Sequence, residues 1–455
     1  MRSHAISLVH ARAIKRWAAV VSSLTLLVAL SGCGQATPTS LSAPPTPIPS
    51  PLQPTSTPTP TAAPQPMIVT LKLWLPEELN PYGGGPGANA LAEQLTEFSE
   101  AHPDLQVEVT VKKARGRGGL FDFLRTARDA APSVLPDLVV LDAADLETVA
   151  GSNLLQPLDD LLPETTLNDR FPFAREMGTV ENQSGEQAAT LGYVIGADMH
   201  HLVYRPALFD SPPISWTQVI SPPVPFLFAA DGQDREVNDA TLIQYLAAGG
   251  KLTDAEGQPW LDQEVMVSVL SFYSDCIGTG TISPTVALNI GDADQAWERF
   301  QAGEGGMAVV RARRYWPWSQ AENEETIAAG SVPTQDGHPY SIARGWAIGM
   351  VADDPARQVL AMMLLNWLIA PNHNAEWTQA DGYLPGRRSA LQMWNVSSAE
   401  QAMLRGMLDA ATPAPDPETM ATAGRVMQEA LEAVLRRRGT PEEAAAAAAE
   451  SLGQQ

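Results

Sequence analysis

Cysteine is nearly absent: the 455 residues hold two, Cys33 and Cys276. That scarcity excludes a disulfide scaffold and any thiolate metal cluster. Cys276 lies in an apolar stretch, Val265 to Ile277, and reads as a small buried core residue. Histidine is also sparse, at seven. The pair His200-His201 has no carboxylate or thiol at ligand spacing, so no metal site is expected. Basic residues number 29 against 52 acidic ones, a net charge of -23. A field of that sign repels phosphate backbones and anionic lipid, which excludes nucleic acid and a polybasic membrane hold. No G-x-S-x-G, H-E-x-x-H or C-x-x-C is found, so no catalytic residue, cofactor or enzyme activity is assigned. The glycine-rich loop Tyr82 to Gly87 lacks the lysine and spacing of a phosphate loop and reads as a cleft-edge loop.

What is present begins at the amino end. A basic region runs through Arg16, followed by an apolar and small-residue run from Trp17 to Leu30. That run is short of the ~20 residues a spanning helix needs, and it reads as a secretory signal over 1–32. It stops at Leu30-Ser31-Gly32-Cys33, which resembles the bacterial lipobox and implies cleavage before Cys33 and lipidation of its thiol. Residues 33–66 follow as a tether, with eleven prolines between Gly34 and Pro66 interleaved with Thr, Ser and Ala. Such a run cannot bury apolar surface and reaches up to ~100 Å when extended.

From Met67 onward, strand and helix patterns alternate. Strands are expected at Met67–Leu75, Leu105–Val111 and Leu138–Leu141, and helices at Asn89–His102 and Leu120–Ala130. This β-α-β-α-β order predicts a mostly parallel sheet covered by helices, with ligands gathering at the strand carboxyl ends. Farther on, helices are expected at Asp239–Ala248, Asp262–Ile277, Asp292–Ala302, Asp354–Ile369, Pro417–Arg437 and Pro441–Leu452, with a strand at Met307–Val310.

Several of these segments together resemble the bacterial extracellular solute-binding proteins of family 1, the lipoprotein receptors of sugar-type ABC importers. The resemblance rests on Phe98-Ser99-Glu100-Ala101-His102-Pro103, Pro136-Asp137 before Leu138–Leu141, Leu154-Leu155-Gln156-Pro157-Leu158-Asp159, Phe300 to Val309, and Gly439-Thr440-Pro441-Glu442-Glu443-Ala444. It departs from the family pattern at Tyr204-Arg205-Pro206 and Trp216-Thr217-Gln218. It implies an α/β, two-lobed periplasmic-binding-protein-like fold of type II, its lobes joined by crossing hinge strands. The implied first lobe is 67–186 plus 337–393, and the second 187–336 plus 394–455. The implied role is a monomeric extracytoplasmic receptor, anchored to the membrane by a lipid on Cys33, that delivers a sugar or sugar derivative to ABC permease subunits. A surface sensor or adhesin on the same fold, and an exported glycoside hydrolase, are the alternatives.

Sugar binding calls for flat apolar faces and planar polar groups. The residues expected to supply them are Trp74, Glu77 and Asp142 at the ends of early strands, and Asp198 and His200 in the crossover segment. Arg344, Trp346 and Tyr383 are added from the returning segment. Trp316 and Trp318, read as part of a loop after the Met307–Val310 strand, are the expected stacking residues. Arg311, Arg313 and Arg314 form a basic cluster, read as paired surface charge, with binding of an acidic sugar or another anion as the alternative.

Overall fold

Val69–Pro76 (β1) starts the first sheet, buried at Leu71, Leu73, Trp74 and Leu75. Pro76 ends it, since proline has no amide hydrogen for the ladder. The computed structural model describes residues 68–181, 188–221, 223–232, 235–322 and 326–453. The secretory signal expected over 1–32, the lipidation expected at Cys33 and the tether expected over 33–66 lie outside the described residues. β1 pairs in parallel with Leu105–Lys112 (β2) along its whole length and with Leu138–Asp142 (β3). The helices Pro86–Ala101 and Leu120–Ala130 make the crossovers that parallel neighbours require. Pro86 follows Gly85, whose φ of 97° suits glycine, and its fixed φ opens the helix. Leu91, Leu95 and Phe98 then face the core.

Thr179–Glu181 (β4) and Ala188–Thr190 (β5) form a separate hairpin. Tyr193–Asp198 (β6) returns to the first sheet, whereas His200–Tyr204 (β7) joins a second one, so the chain changes sheet across Met199 alone. Phe226–Leu227 (β8), Met307–Arg311 (β9) and Ala328–Gly330 (β10) complete the second sheet, in the order β10-β7-β9-β8. The chain then re-enters the first sheet as Ser341–Met350 (β11), antiparallel to both β3 and β6. The first sheet is therefore mostly parallel, as expected, with β11 and β12 running against the other strands. The direction of β11 is set by its return from the second sheet, which local pattern does not record. Ala411–Pro413 (β12) pairs in parallel with the start of β11. The expected division placed everything from Trp394 in the second lobe; β12 instead hydrogen-bonds within the first sheet before the chain crosses again.

Two helices bear on the site. Tyr315-Trp316-Pro317-Trp318, expected in a loop, lies in the helix Ala312–Glu322 despite its internal proline. Burial of Tyr315 and Trp316 outweighs the local preference. The single helix expected over Pro417–Arg437 runs without a break from Pro417 to Leu435, with a widened turn at Met420–Gly424. Within that turn the Gly424 carbonyl accepts a hydrogen bond from the Val237 amide at 3.0 Å.

Apolar clusters lie in each lobe and across the junction. One lies under β1, β3 and β11; another joins the second sheet to the helices Gln263–Thr279, Arg425–Leu435 and Pro441–Gly453. A third runs continuously through the crossing region, from Val194 and Met199 to Val310, Trp316 and Trp394. A buried ion pair ties the first sheet to its covering helix Pro355–Leu368: Asp137 accepts from the Lys72 amide at 2.7 Å and from Arg357 Nε at 2.9 Å. Among the described residues no helix is long and apolar enough to cross a membrane.

Candidate solute-binding cleft

Where β6 and β11 meet β7 and β9, a cleft of about 460 Å³ opens. Strand register makes its floor: Arg344 of β11 lies opposite Asp198 of β6, and His200 of β7 lies opposite Arg311 of β9. Helix starts make its walls. Asn238 caps the helix Asp239–Ala247, its side chain accepting from the Thr241 amide. Asp292 caps Ala293–Gln301 in the same way, accepting from the Gln295 amide at 2.8 Å. Strand ends and helix amino termini thus converge on one space, the arrangement in which α/β folds hold small ligands.

Charge in the cleft is organised as pairs. Asp198 accepts from Arg311 Nε at 2.6 Å and from the Arg313 amide at 3.3 Å. Arg344 grips Asp239 with two bonds, Nε at 3.0 Å and Nη2 at 2.7 Å, in the planar fork geometry that favours guanidinium. His200 Nδ1 stands 3.5 Å from the same carboxylate. Arg115 bridges Asp142 at 3.1 Å and Asp145 at 3.0 Å, and Arg314 pairs with Asp294 at 2.7 Å.

Burial pushes the Asp239 carboxyl up, but the charge and bonds of Arg344 outweigh it and hold the group below its ordinary pKa. Asp142 goes the other way, because its burial outweighs Arg115. His200 is pushed below its ordinary value, with burial the largest cause. Arg344 is raised above its ordinary value, chiefly by Asp239; Arg311 is raised too, its burial outweighed by Asp198. The cleft therefore presents fixed carboxylate acceptors and guanidinium donors, an array able to satisfy hydroxyl groups without any chemical step.

The structure brings Asp198, His200 and Arg344 together here, and places Asp142 at their edge through Arg115. His200, expected in the crossover segment, is the first residue of β7. Glu77 lies apart, in an adjoining hollow of about 230 Å³ lined also by Glu78, Asn80, Gly87, Arg313 and Asp381. Arg313 closes one side of that hollow, pairing with Asp381 at 2.9 Å and lying 4.2 Å over the ring of Tyr383.

The aromatic candidates are placed elsewhere. Trp316 is 1% exposed and packs against Tyr315, Trp394 and His201. Trp318 is part-buried beside Trp297 and Tyr315. Trp74 is buried in β1 under Lys112. Trp346 is buried in β11, where its Nε1 donates to the Tyr383 hydroxyl at 2.7 Å. No Trp, Tyr or Phe lines the cleft among the described residues. Sequence reasoning missed Arg115, Asp239 and Asp294 and favoured surface charge over anion binding for Arg311. Asp239 and Asp292 were visible as helix starts, yet nothing local says that both helices aim at one space. Among the described residues no three His, Cys, Asp or Glu are grouped to hold a metal ion.

No curated protein sequence matches the chain. Solved structures similar in fold include the sugar-binding protein MalE from Xanthomonas citri, at 18% identity and a TM-score of 0.65, covering 85% of this chain and 98% of that one. A cyclic α-maltosyl-1,6-maltose binding protein from Arthrobacter globiformis gives 18% identity and a TM-score of 0.63, with the same coverage of both chains. An ABC transporter solute-binding protein from Thermotoga lettingae, bound with α-D-tagatose, gives 20% identity and 0.59, covering 85% and 99%. The two-lobed α/β fold is thus shared with these binding proteins. The family model of the bacterial extracellular solute-binding proteins matches residues 93–403, more than half of the chain. With two sheets joined by crossing strands around a ligand-sized cleft, the chain belongs to the bacterial extracellular solute-binding protein family.

Proposed function

We propose that this chain is the extracytoplasmic receptor of an ABC importer, capturing a carbohydrate-like solute in the cleft and delivering it to a membrane permease. The observation that carries the reading is the convergence of Asp198, His200, Asp239, Arg311 and Arg344 where the two sheets meet. Carboxylate acceptors and guanidinium donors fixed in one space bind neutral hydroxyls through charge-assisted hydrogen bonds. The ligands named for the structurally similar proteins, maltose-type sugars and tagatose, are of that chemistry. Binding and release are the whole cycle, with no bond made or broken. The lobes, taken as 67–186 with 337–393 and 187–336 with the C-terminal helices, close on solute by bending at Met199 and the 331–340 return. A lipid on Cys33 and the proline-rich 33–66 tether keep the loaded receptor near its permease, which raises its local concentration there.

The test is thermal-shift screening of the full-length chain in detergent against monosaccharides, oligosaccharides and polyols. At least one is expected to stabilise strongly; a ligand at 100 times its Kd adds about 2.7 kcal/mol. Silence across that panel, or steady hydrolysis of a glycoside by the pure protein, rejects the proposal.

A further inference from the structure

The charged pairs of the cleft are not symmetric toward solvent. Asp198 has 8% of its side chain exposed, and its partner Arg311 has 40%. Asp239 has 9%, and Arg344 has 51%. Arg115 is likewise more exposed than Asp142 and Asp145, the two carboxylates it bridges. In each pair the carboxylate lies behind and the guanidinium stands in front. The bonds of each arginine to carboxylate run through Nε and Nη2, so its two Nη1 hydrogens are not taken by them. A guanidinium held at two nitrogens is also fixed in orientation before solute arrives. The three come from separate segments that all line the cleft: Arg115 from the loop after β2, Arg311 from the end of β9 and Arg344 from β11. The carboxylates of the helix starts are engaged as well, Asp294 by Arg314 and Asp292 by the Gln295 amide. With no Trp, Tyr or Phe lining the cleft among the described residues, stacking adds nothing there.

We infer that the solute is read through its oxygen atoms by Arg115, Arg311 and Arg344, so that the cleft takes an oxygen-rich sugar or polyol and rejects an amine-bearing one. This rests on the reading of the cleft as the solute site. Hydroxyl and carboxylate oxygens accept from guanidinium N–H groups, whereas an ammonium has three donors and no acceptor. An ammonium meets donors of its own charge first and reaches the carboxylates only by displacing the arginines. Asp142, Asp198 and Asp239 are positioning residues on this reading. Arg115 follows a strand of the first sheet and Arg311 ends one of the second, so a solute accepting from both draws the two sheets together.

Thermal shift and titration calorimetry of the full-length chain in detergent test this. To the sugar panel are added glucuronate and two amine-for-hydroxyl pairs, glucose with glucosamine and glucitol with 1-amino-1-deoxyglucitol. The strongest stabiliser is expected to carry no amine, and each amine to bind about tenfold more weakly than its hydroxyl partner. Arg115→Met removes the donors of a half-exposed loop side chain. It is expected to weaken the strongest stabiliser about tenfold while the free chain melts as before. Should that variant melt lower, Arg115→Lys, which keeps the charge and loses the planar fork, is expected to weaken binding with melting kept. Asp142→Asn keeps the acceptor for the Ala144 amide and is expected to weaken the same compound less than Arg115→Met does. An amine as the strongest stabiliser, affinity unchanged without Arg115, or Asp142→Asn costing more than Arg115→Met overturns the inference and leaves the receptor reading standing. Silence across the whole panel overturns both.

Discussion

His201 is wholly buried, with Nδ1 2.9 Å from the Leu202 carbonyl oxygen and its ring against Tyr315 and Trp316. Burial pushes its pKa from an ordinary 6.5 down to about 4. The unfolded chain therefore binds a proton that the native one refuses between those values. The stability from a neutral His201 is complete above pH 6.5 and is lost as pH falls toward 4, by on the order of 3 kcal/mol. Urea melts across that window should show the loss, and His201→Phe should flatten that part of the profile; an unchanged slope would mean other groups cause it. Trp316 makes a second residue-scale case. With 1% of its surface exposed, Trp316→Ala should cost about 3–5 kcal/mol of stability while leaving solute affinity nearly intact. A loss of affinity without a loss of stability would return it to the binding site. Asp239 is 9% exposed and depends on Arg344, so Arg344→Ala should cost about 1–3 kcal/mol and weaken solute binding as well.

At the scale of elements, the hollow beside the cleft depends on a close approach of two helices. A β-carbon built on Gly87 would lie 2.3 Å from the Asp381 β-carbon, so Pro86–Ala101 and Pro371–Asp381 meet there only because residue 87 has no side chain. Gly87→Ala should push them apart, costing about 1–3 kcal/mol in a thermal or urea melt. Melting unchanged by the substitution would show that the helices separate freely. Element identity was largely legible in the sequence. The helices Pro86–Ala101, Leu120–Ala130, Gln263–Thr279 and Pro355–Leu368 fall within a few residues of the periodic patterns that predict them. The Ala312–Glu322 helix was not legible. Its proline argues against a helix locally, and only the packing of Trp316 on Trp394 decides otherwise. The same limit hid the direction of β11, because strand patterns carry no sign.

For the whole molecule, the chain crosses between sheets at Met199, between β10 and β11, and after β12. Apolar packing through this junction, from Met199 to Trp394, gives the hinge a continuous core. Closure on a solute should lower the radius of gyration measured by small-angle X-ray scattering, as hinge bending does in two-lobed proteins. A radius unchanged at saturating solute would show binding without closure.

The sequence by itself determined the acidic field, the β-α-β-α-β order and the family resemblance. The first two follow from composition and from periodicity along contiguous segments, and the resemblance rests on short motifs in a shared order. Only the tertiary structure decided the site's membership. Asp198, Asp239, Arg311 and Arg344 are up to 146 residues apart, and strand register with two helix starts brings them together. It also decided that the tryptophans serve packing, since whether a flat ring faces a cleft or a core depends on what folds against it.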